Sequence, residues 1–192
     1  MNRLCRRTSN LARDFTTTDE SWGEAVVNVL RPCDDGYVNT WRKVVSFLSV
    51  NGVSGRTTRA YQDEAESAIG RLTADDEWSA VAALPDLITI GTDYTRDDDT
   101  EVATGGMLAA ALVYPGVETS RLTGGVVATE RNRGLGKCLL RVARASTPYS
   151  ASVSVVTNAT NTYANLALVR EGYVPHYIRP DGTVSYRTTG SW

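Results

Sequence analysis

The residues best suited to chemistry lie between Gly124 and Leu140. A β-branched strand leads into a turn carrying Gly134 and Gly136, and a helix starts immediately after it. The first turn of such a helix leaves backbone N–H groups without partners, at the positive end of the helix dipole. The glycines let the chain curl and let a phosphate approach those N–H groups closely. Arg131, Arg133 and Lys137 add cations at the same point. A turn built this way should hold a pyrophosphate or another anion. The plain alternative is a tight strand–helix turn whose arginines face water. The spacing is not a Walker loop, which needs G-x-x-x-x-G-K-[ST]. Nor is it a dinucleotide G-x-G-x-x-G, because Leu139 stands where the third glycine belongs.

The whole chain limits what this turn can serve. Its 192 residues suit about one domain, and 42% hydrophobic residues suffice for one core. The net charge is 20 − 22 = −2, so there is no overall electrostatic footprint for nucleic acid, which is not expected as a partner. Eighteen of the twenty basic residues are arginines; Lys43 and Lys137 are the exceptions. Cys5, Cys33 and Cys138 form no CxxC pair and are odd in number, and His176 is the single histidine. No metal site is expected. No apolar run approaches the ~18 residues of a membrane helix, so no membrane partner is expected and a cytoplasmic protein is the default.

Several elements must position the turn. Residues 1–23 show no clean periodicity and read as a basic arm, with Arg3, Arg6, Arg7 and Arg13 soon offset by Asp14, Asp19 and Glu20. The domain proper is read as 24–192. Ala25–Leu30 reads as a strand. Tyr37–Val50 reads as a helix on Tyr37, Trp41, Val44, Val45 and Leu48, with Asp34 and Asp35 as candidate caps. Thr58–Leu72 reads as a second helix. Strands follow at Leu87–Tyr94, Val102–Tyr114 and Ser120–Ala128, the first two as a hairpin. The turn then opens a helix on Leu135, Leu139, Val142 and Ala143. Ser152–Val156 is a strand, Asn161–Glu171 a helix ended by Gly172, and Tyr173–Arg179 with Val184–Thr188 a closing hairpin. The order β-α-α-β-β-β-α-β-α-β-β describes an α+β layer structure with a mixed, mostly antiparallel sheet flanked by helices, not a Rossmann alternation.

Arg131-x-x-Gly134-x-Gly136, placed after a strand and before a helix carrying Leu139 and Leu140, resembles the acetyl-CoA-binding motif of the GCN5-related N-acetyltransferase (GNAT) superfamily. The second signature of that superfamily, an Asn-x-x-Ala helix ending in glycine and an aromatic residue, corresponds to Asn161, Ala164, Gly172 and Tyr173. The resemblance implies a GNAT-like fold from about residue 24 onward. It implies acetyl-CoA as acyl donor and no metal. It places the pantetheine arm between the strand ending at Ala128 and Ser152–Val156, against the backbone of Val126, Val127 and Ala128. Arg131, Asn132, Arg133, Gly134, Leu135, Gly136 and Lys137 would surround the pyrophosphate, and Asn161 and Ala164 the far side of the cofactor. A backbone N–H near Val127 would polarise the thioester carbonyl.

The implied reaction moves an acetyl group to an amine of a small molecule, peptide or protein. An amine with pKa near ~10.4 needs a proton acceptor at neutral pH. Glu130, Glu101, Glu118 and His176 are candidates for that base. The tyrosine that often protonates the leaving thiolate in this superfamily is replaced by Leu168, leaving Tyr163 and Tyr173 nearby. The acidic run Asp97–Glu101 is a candidate for drawing a cationic amine, against the plainer reading of a solvated hairpin tip. The other class of function is a GNAT-like fold used as a non-catalytic binding or assembly module, such as a phage-particle component.

Overall fold

A computed structural model describes residues 17–19, 23–32, 34–52, 63, 66–67, 70, 84–91, 106–116, 118–147 and 152–188. The expected acidic tip at 97–101 and most of the expected helix at 58–72 lie outside the described residues. Asp63, Glu66, Ser67 and Gly70 are helical, and Arg42 Nε reaches Glu66 Oε1 at 3.4 Å.

The strands are β1 (Thr17–Asp19), β2 (Gly23–Leu30), β3 (Asp86–Gly91), β4 (Met107–Tyr114), β5 (Thr119–Val126), β6 (Ser152–Asn158), β7 (Tyr173–Ile178) and β8 (Thr183–Thr188). The helices are α1 (Tyr37–Asn51), α2 (Leu135–Ser146) and α3 (Thr162–Arg170). The strands form one sheet in the order β1-β2-β3-β4-β5-β6-β8-β7. Every neighbouring pair is antiparallel except β5 and β6, which are parallel. A parallel pair needs a long crossover, and α2 supplies it.

Two expectations change. Thr17–Asp19, inside the segment read as an arm, is a strand pairing Thr17 with Ala25. Three residues carry too little alternation to be recognised, although Thr17 and Thr18 are β-branched and suit a strand. The start of α1 also differs. Neither aspartate caps it; the cap is Gly36, with φ of 76°. Asp34 instead closes the preceding turn, its Oδ2 accepting from the Arg31 N–H at 2.7 Å.

Alternation along the strands divides the core into two layers. Ile88, Ile90, Ala109, Ala111, Val113 and Leu122 face α2, meeting Leu135, Leu139, Val142 and Ala143. Leu87, Ala110 and Leu112 face α1, meeting Tyr37, Trp41, Val44, Val45 and Leu48. Three consecutive fully buried alanines on β4, Ala109–Ala111, leave room for a helix on each side.

The foot of α1 sets a carboxyl at the edge of this core. Tyr37 donates its hydroxyl to the Pro85 carbonyl at 2.5 Å, and its ring lies 5.6 Å from Trp41. The neighbouring Asp86 is half-buried. Burial pushes its carboxyl up from 3.8 to about 6; Arg31 pulls the other way and Asp34 adds to the rise. A carboxyl that binds its proton more tightly when folded stabilises the fold below its unfolded pKa. That contribution is lost as pH rises through the folded pKa. Asp86→Asn is therefore expected to match the native chain near pH 4. Above pH 6 it should be more stable, by on the order of 2 kcal/mol. Chemical denaturation across pH 4–7 checks this; parallel curves at all pH values would contradict it.

Candidate functional site

β5 and β6 hydrogen bond in register from Thr119–Ser152 to Leu122–Val155, and pairing stops there. Beyond that point the two strands border a cleft of about 440 Å³. Its walls include Leu122 to Val126 on β5, Val155 to Thr157 on β6, Leu139 and Leu140 on α2, and one side of α3. The expected gap between these strands is therefore present.

The ladder decides which backbone groups meet the cleft. The Val127 N–H donates to the Leu108 carbonyl at 2.9 Å. Antiparallel alternation then turns the N–H and C=O of Gly125 and Thr123 toward β4, and those of Gly124 and Val126 toward the cleft. The Val127 N–H itself is thus engaged by β4, and of the groups beside it those of Val126 face the cleft. Ala128 is also displaced from its expected place. It opens a 3-10 turn, Ala128–Glu130, and is exposed outside the cleft walls.

The glycine turn follows. Asn132 and Gly134 take left-handed φ values of 70° and 93°, a conformation that asparagine tolerates and glycine adopts freely. Gly134 is the N-cap of α2. No side chain caps the helix, and its first turn contains no acidic residue. A Cβ at Gly134 or Gly136 would meet nothing within 4 Å, so packing does not require glycine at either position. They leave open space before unpaired N–H groups at a positive helix end, as a bound phosphate needs.

Ten of the expected residues line this cleft: Val126, Glu130, Arg131, Asn132, Gly134, Gly136, Lys137, Asn161, Tyr163 and Ala164. Four others do not: Val127, Ala128, Arg133 and Leu135. Leu135 is 1% exposed and packs into the core, because a helix's first turn must also bury a face. Arg133 forms an ion pair with Glu130 through Nη1 and Oε2. Asn161 caps α3, its Oδ1 accepting from the Ala164 N–H at 3.2 Å, which explains the Asn-x-x-Ala spacing.

The proton-transfer candidates separate. Glu130 lines the cleft but is held by Arg133. Glu118 lies at the opposite end of β5 from Val126, about 26 Å away at ~3.3 Å per residue. His176 is exposed on β7, the outermost strand, with β8 between it and β6. Glu101 lies outside the described residues. Leu168 is 2% exposed and fills the tyrosine position with core packing. Tyr173 is 1% exposed and is not a wall residue; burial pushes its phenol well above its ordinary value. Tyr163 is 63% exposed and, unlike Tyr173, lines the cleft. Among the described residues, no group of His, Cys, Asp and Glu could hold a metal ion. Among them too, no helix is long and apolar enough to cross a membrane.

Sequence reasoning missed the α1 end of the site. Asn51 lines the cleft, and Gly52 forms an isolated bridge to Gly125. The clue was the paired glycine at 124–125, which leaves the strand bare where a helix end approaches.

No family model matches the chain, and no curated protein matches it in sequence. Solved structures match it in fold. The ribosomal-protein-S18-alanine N-acetyltransferase from Escherichia coli is 12% identical with a TM-score of 0.53, covering 88% of this chain and 95% of its own. The GNAT domain of S. lividans PAT is 16% identical with a TM-score of 0.52, covering 86% and 90%. Mycobacterium smegmatis RimJ, solved in complex with CoA-disulfide, is 11% identical with a TM-score of 0.51, covering 87% and 82%. The chain has the fold of the GNAT acetyltransferases.

The close approach at Gly125 is testable. A Cβ there would lie 2.4 Å from the Asn51 carbonyl oxygen and 3.0 Å from the Gly52 nitrogen. Gly125→Ala is expected to lower stability by about 1–3 kcal/mol. Gly136→Ala, with open space around it, should be neutral or raise stability by up to about 1 kcal/mol. Thermal unfolding of both variants decides; equal melting temperatures for Gly125→Ala and the native chain would contradict the contact.

Proposed function

We propose that the protein is an acyl-CoA-dependent N-acetyltransferase acting on an amine of a peptide or protein. The observation carrying this reading is the unpaired β5–β6 gap leading directly to the uncapped start of α2. An elongated ligand with an amide-bearing arm and a phosphate end suits that combination. Arg131, Lys137 and the first-turn N–H groups of α2 would hold the phosphates. Gly124 and Val126 would present backbone groups to the pantetheine arm, with Asn161 and Ala164 at the start of α3 beside the cofactor. Arg133 contributes through Glu130, which fixes the turn. Acetyl-CoA supplies an activated acyl group as a thioester.

In the reaction, the neutral amine's lone pair forms a bond to the thioester carbonyl carbon. The C–S bond breaks, sulfur leaves with its electron pair, and the nitrogen gives up a proton to solvent water. Tyr163 is the candidate to protonate the sulfur. The peptide or protein acceptor rests on the named activity of the Escherichia coli neighbour. Leu168 in the tyrosine position and the Glu130–Arg133 pair favour a second reading, a module that binds CoA without turnover.

Calorimetric titration with acetyl-CoA is expected to show one site per chain. Arg131→Ala combined with Lys137→Ala should weaken binding at least about ten-fold, the scale of lost charge-assisted hydrogen bonds. Gly134→Glu should abolish it by placing a carboxylate at the anion site. Thiol release with a panel of peptide amines then separates transferase from module. No binding by the native chain, or no effect of Gly134→Glu, would refute both readings.

A further inference from the structure

Three buried hydroxyls among the described residues have no hydrogen-bond partner: those of Ser120, Thr157 and Tyr173. Ser120 and Tyr173 are not among the walls of the cleft, whereas Thr157 is one of them. Thr157 is 2% exposed and sits two residues past Val155, the last residue of β6 to pair with β5. Continuing the register of Leu122 with Val155 by two places sets Thr157 on the level of Gly124. The Ala159 N–H donates to the carbonyl of Gly182, just before β8, so alternation gives the Thr157 backbone to its β8 partner Val184. Only its side chain is left for the cleft.

The surrounding wall is apolar, with Leu140, Val155 and Leu168 in the same cleft. A buried hydroxyl without a partner is destabilising there. Valine has the same shape and β-branching without that cost. A threonine at this point therefore calls for a ligand polar group.

We propose that Thr157 is a ligand-binding residue whose hydroxyl hydrogen bonds an amide of the pantetheine arm. The assignment rests on the acyl-CoA reading and adds a residue to it. An amide suits the site because it is neutral, and a hydroxyl can donate to its carbonyl or accept from its N–H. The cations lie on the turn and at the start of α2, so the phosphate end of the ligand is accounted for separately. The hydroxyl is closed off in the wall, so the contact forms when the Thr157 side chain turns about χ1 toward a chain lying on β6.

The experiment compares Thr157→Val, Thr157→Ser and Ser120→Ala with the native chain. The ligands are CoA and adenosine 3′,5′-bisphosphate, which carries phosphates but no pantetheine arm. Thr157→Val should weaken CoA binding roughly three- to ten-fold, the size of one neutral hydrogen bond in a sheltered site. It should leave the bisphosphate affinity unchanged and raise the melting temperature of the ligand-free protein. Thr157→Ser should restore CoA binding, and Ser120→Ala should leave both affinities as they are. Native-like CoA binding by Thr157→Val, or an equal loss of both ligands, overturns the assignment while leaving the acyl-CoA reading intact. Failure of the native chain to bind either ligand removes that reading and this assignment with it.

Discussion

Two parallel strands that stop hydrogen bonding partway along their length create the site. β5 and β6 are joined through α2, and pairing in register holds them together only as far as Leu122 and Val155. A sheet interior normally satisfies every backbone group, so strands that part within a sheet leave donors and acceptors that need another partner. The remaining elements keep the strands in that arrangement. β4 engages β5 on its other edge through Val126, and β8 engages β6 through Asn158. The cleft is thus bounded by strands that are fixed on their far sides, which makes it a preformed groove.

Electrostatics gives the groove a direction. The start of α2 is positive, uncapped and flanked by Arg131 and Lys137. The opposite helix end, the last turn of α1, meets β5 at Gly125 with its carbonyls forward and carries no basic residue. A ligand negative at one end and neutral along its length fits this polarity. The ion pair of Glu130 with Arg133 holds the turn in shape but removes one cation and one carboxylate from direct chemistry. At the far side, α3 is tied down by its own amides: Asn165 Nδ2 donates to the Asn158 and Ala159 carbonyls at 3.1 Å, and Tyr186 donates to Asn165 Oδ1 at 2.9 Å. Arg141 reinforces the α2–α3 contact through both oxygens of Glu171.

Much of this was legible from residue types. The 3.6-residue spacing of Tyr37, Trp41, Val44, Val45 and Leu48 marks α1, and these side chains are buried in the structure. The strand, glycine turn and helix from Gly124 onward read correctly because β-branched residues lead into Gly134, whose left-handed backbone glycine adopts freely. The point at which β5 and β6 part is not written in any one residue. It depends on where each strand's other neighbour holds it, a long-range property. The assignment of Val127 failed for a related reason. Which N–H groups face a gap depends on ladder parity, and a shift by one residue reverses it. Leu135 reads both ways, on the apolar face of this helix and, through the family resemblance, at the phosphate; its side chain is buried in the core, so only its backbone is left for the turn.

On the proposed reading, the gap between β5 and β6 receives an extended ligand whose phosphate end rests on α2. Backbone amide NMR during a titration with CoA tests it residue by residue. Large shifts are expected at Gly124, Gly136, Lys137 and Thr157. The Val127 amide, engaged by Leu108, and the amides of β7 should hardly move. Shifts concentrated on β7 or at the foot of α1 around Tyr37 and Asp86, with Gly124 and Gly136 unmoved, would contradict it.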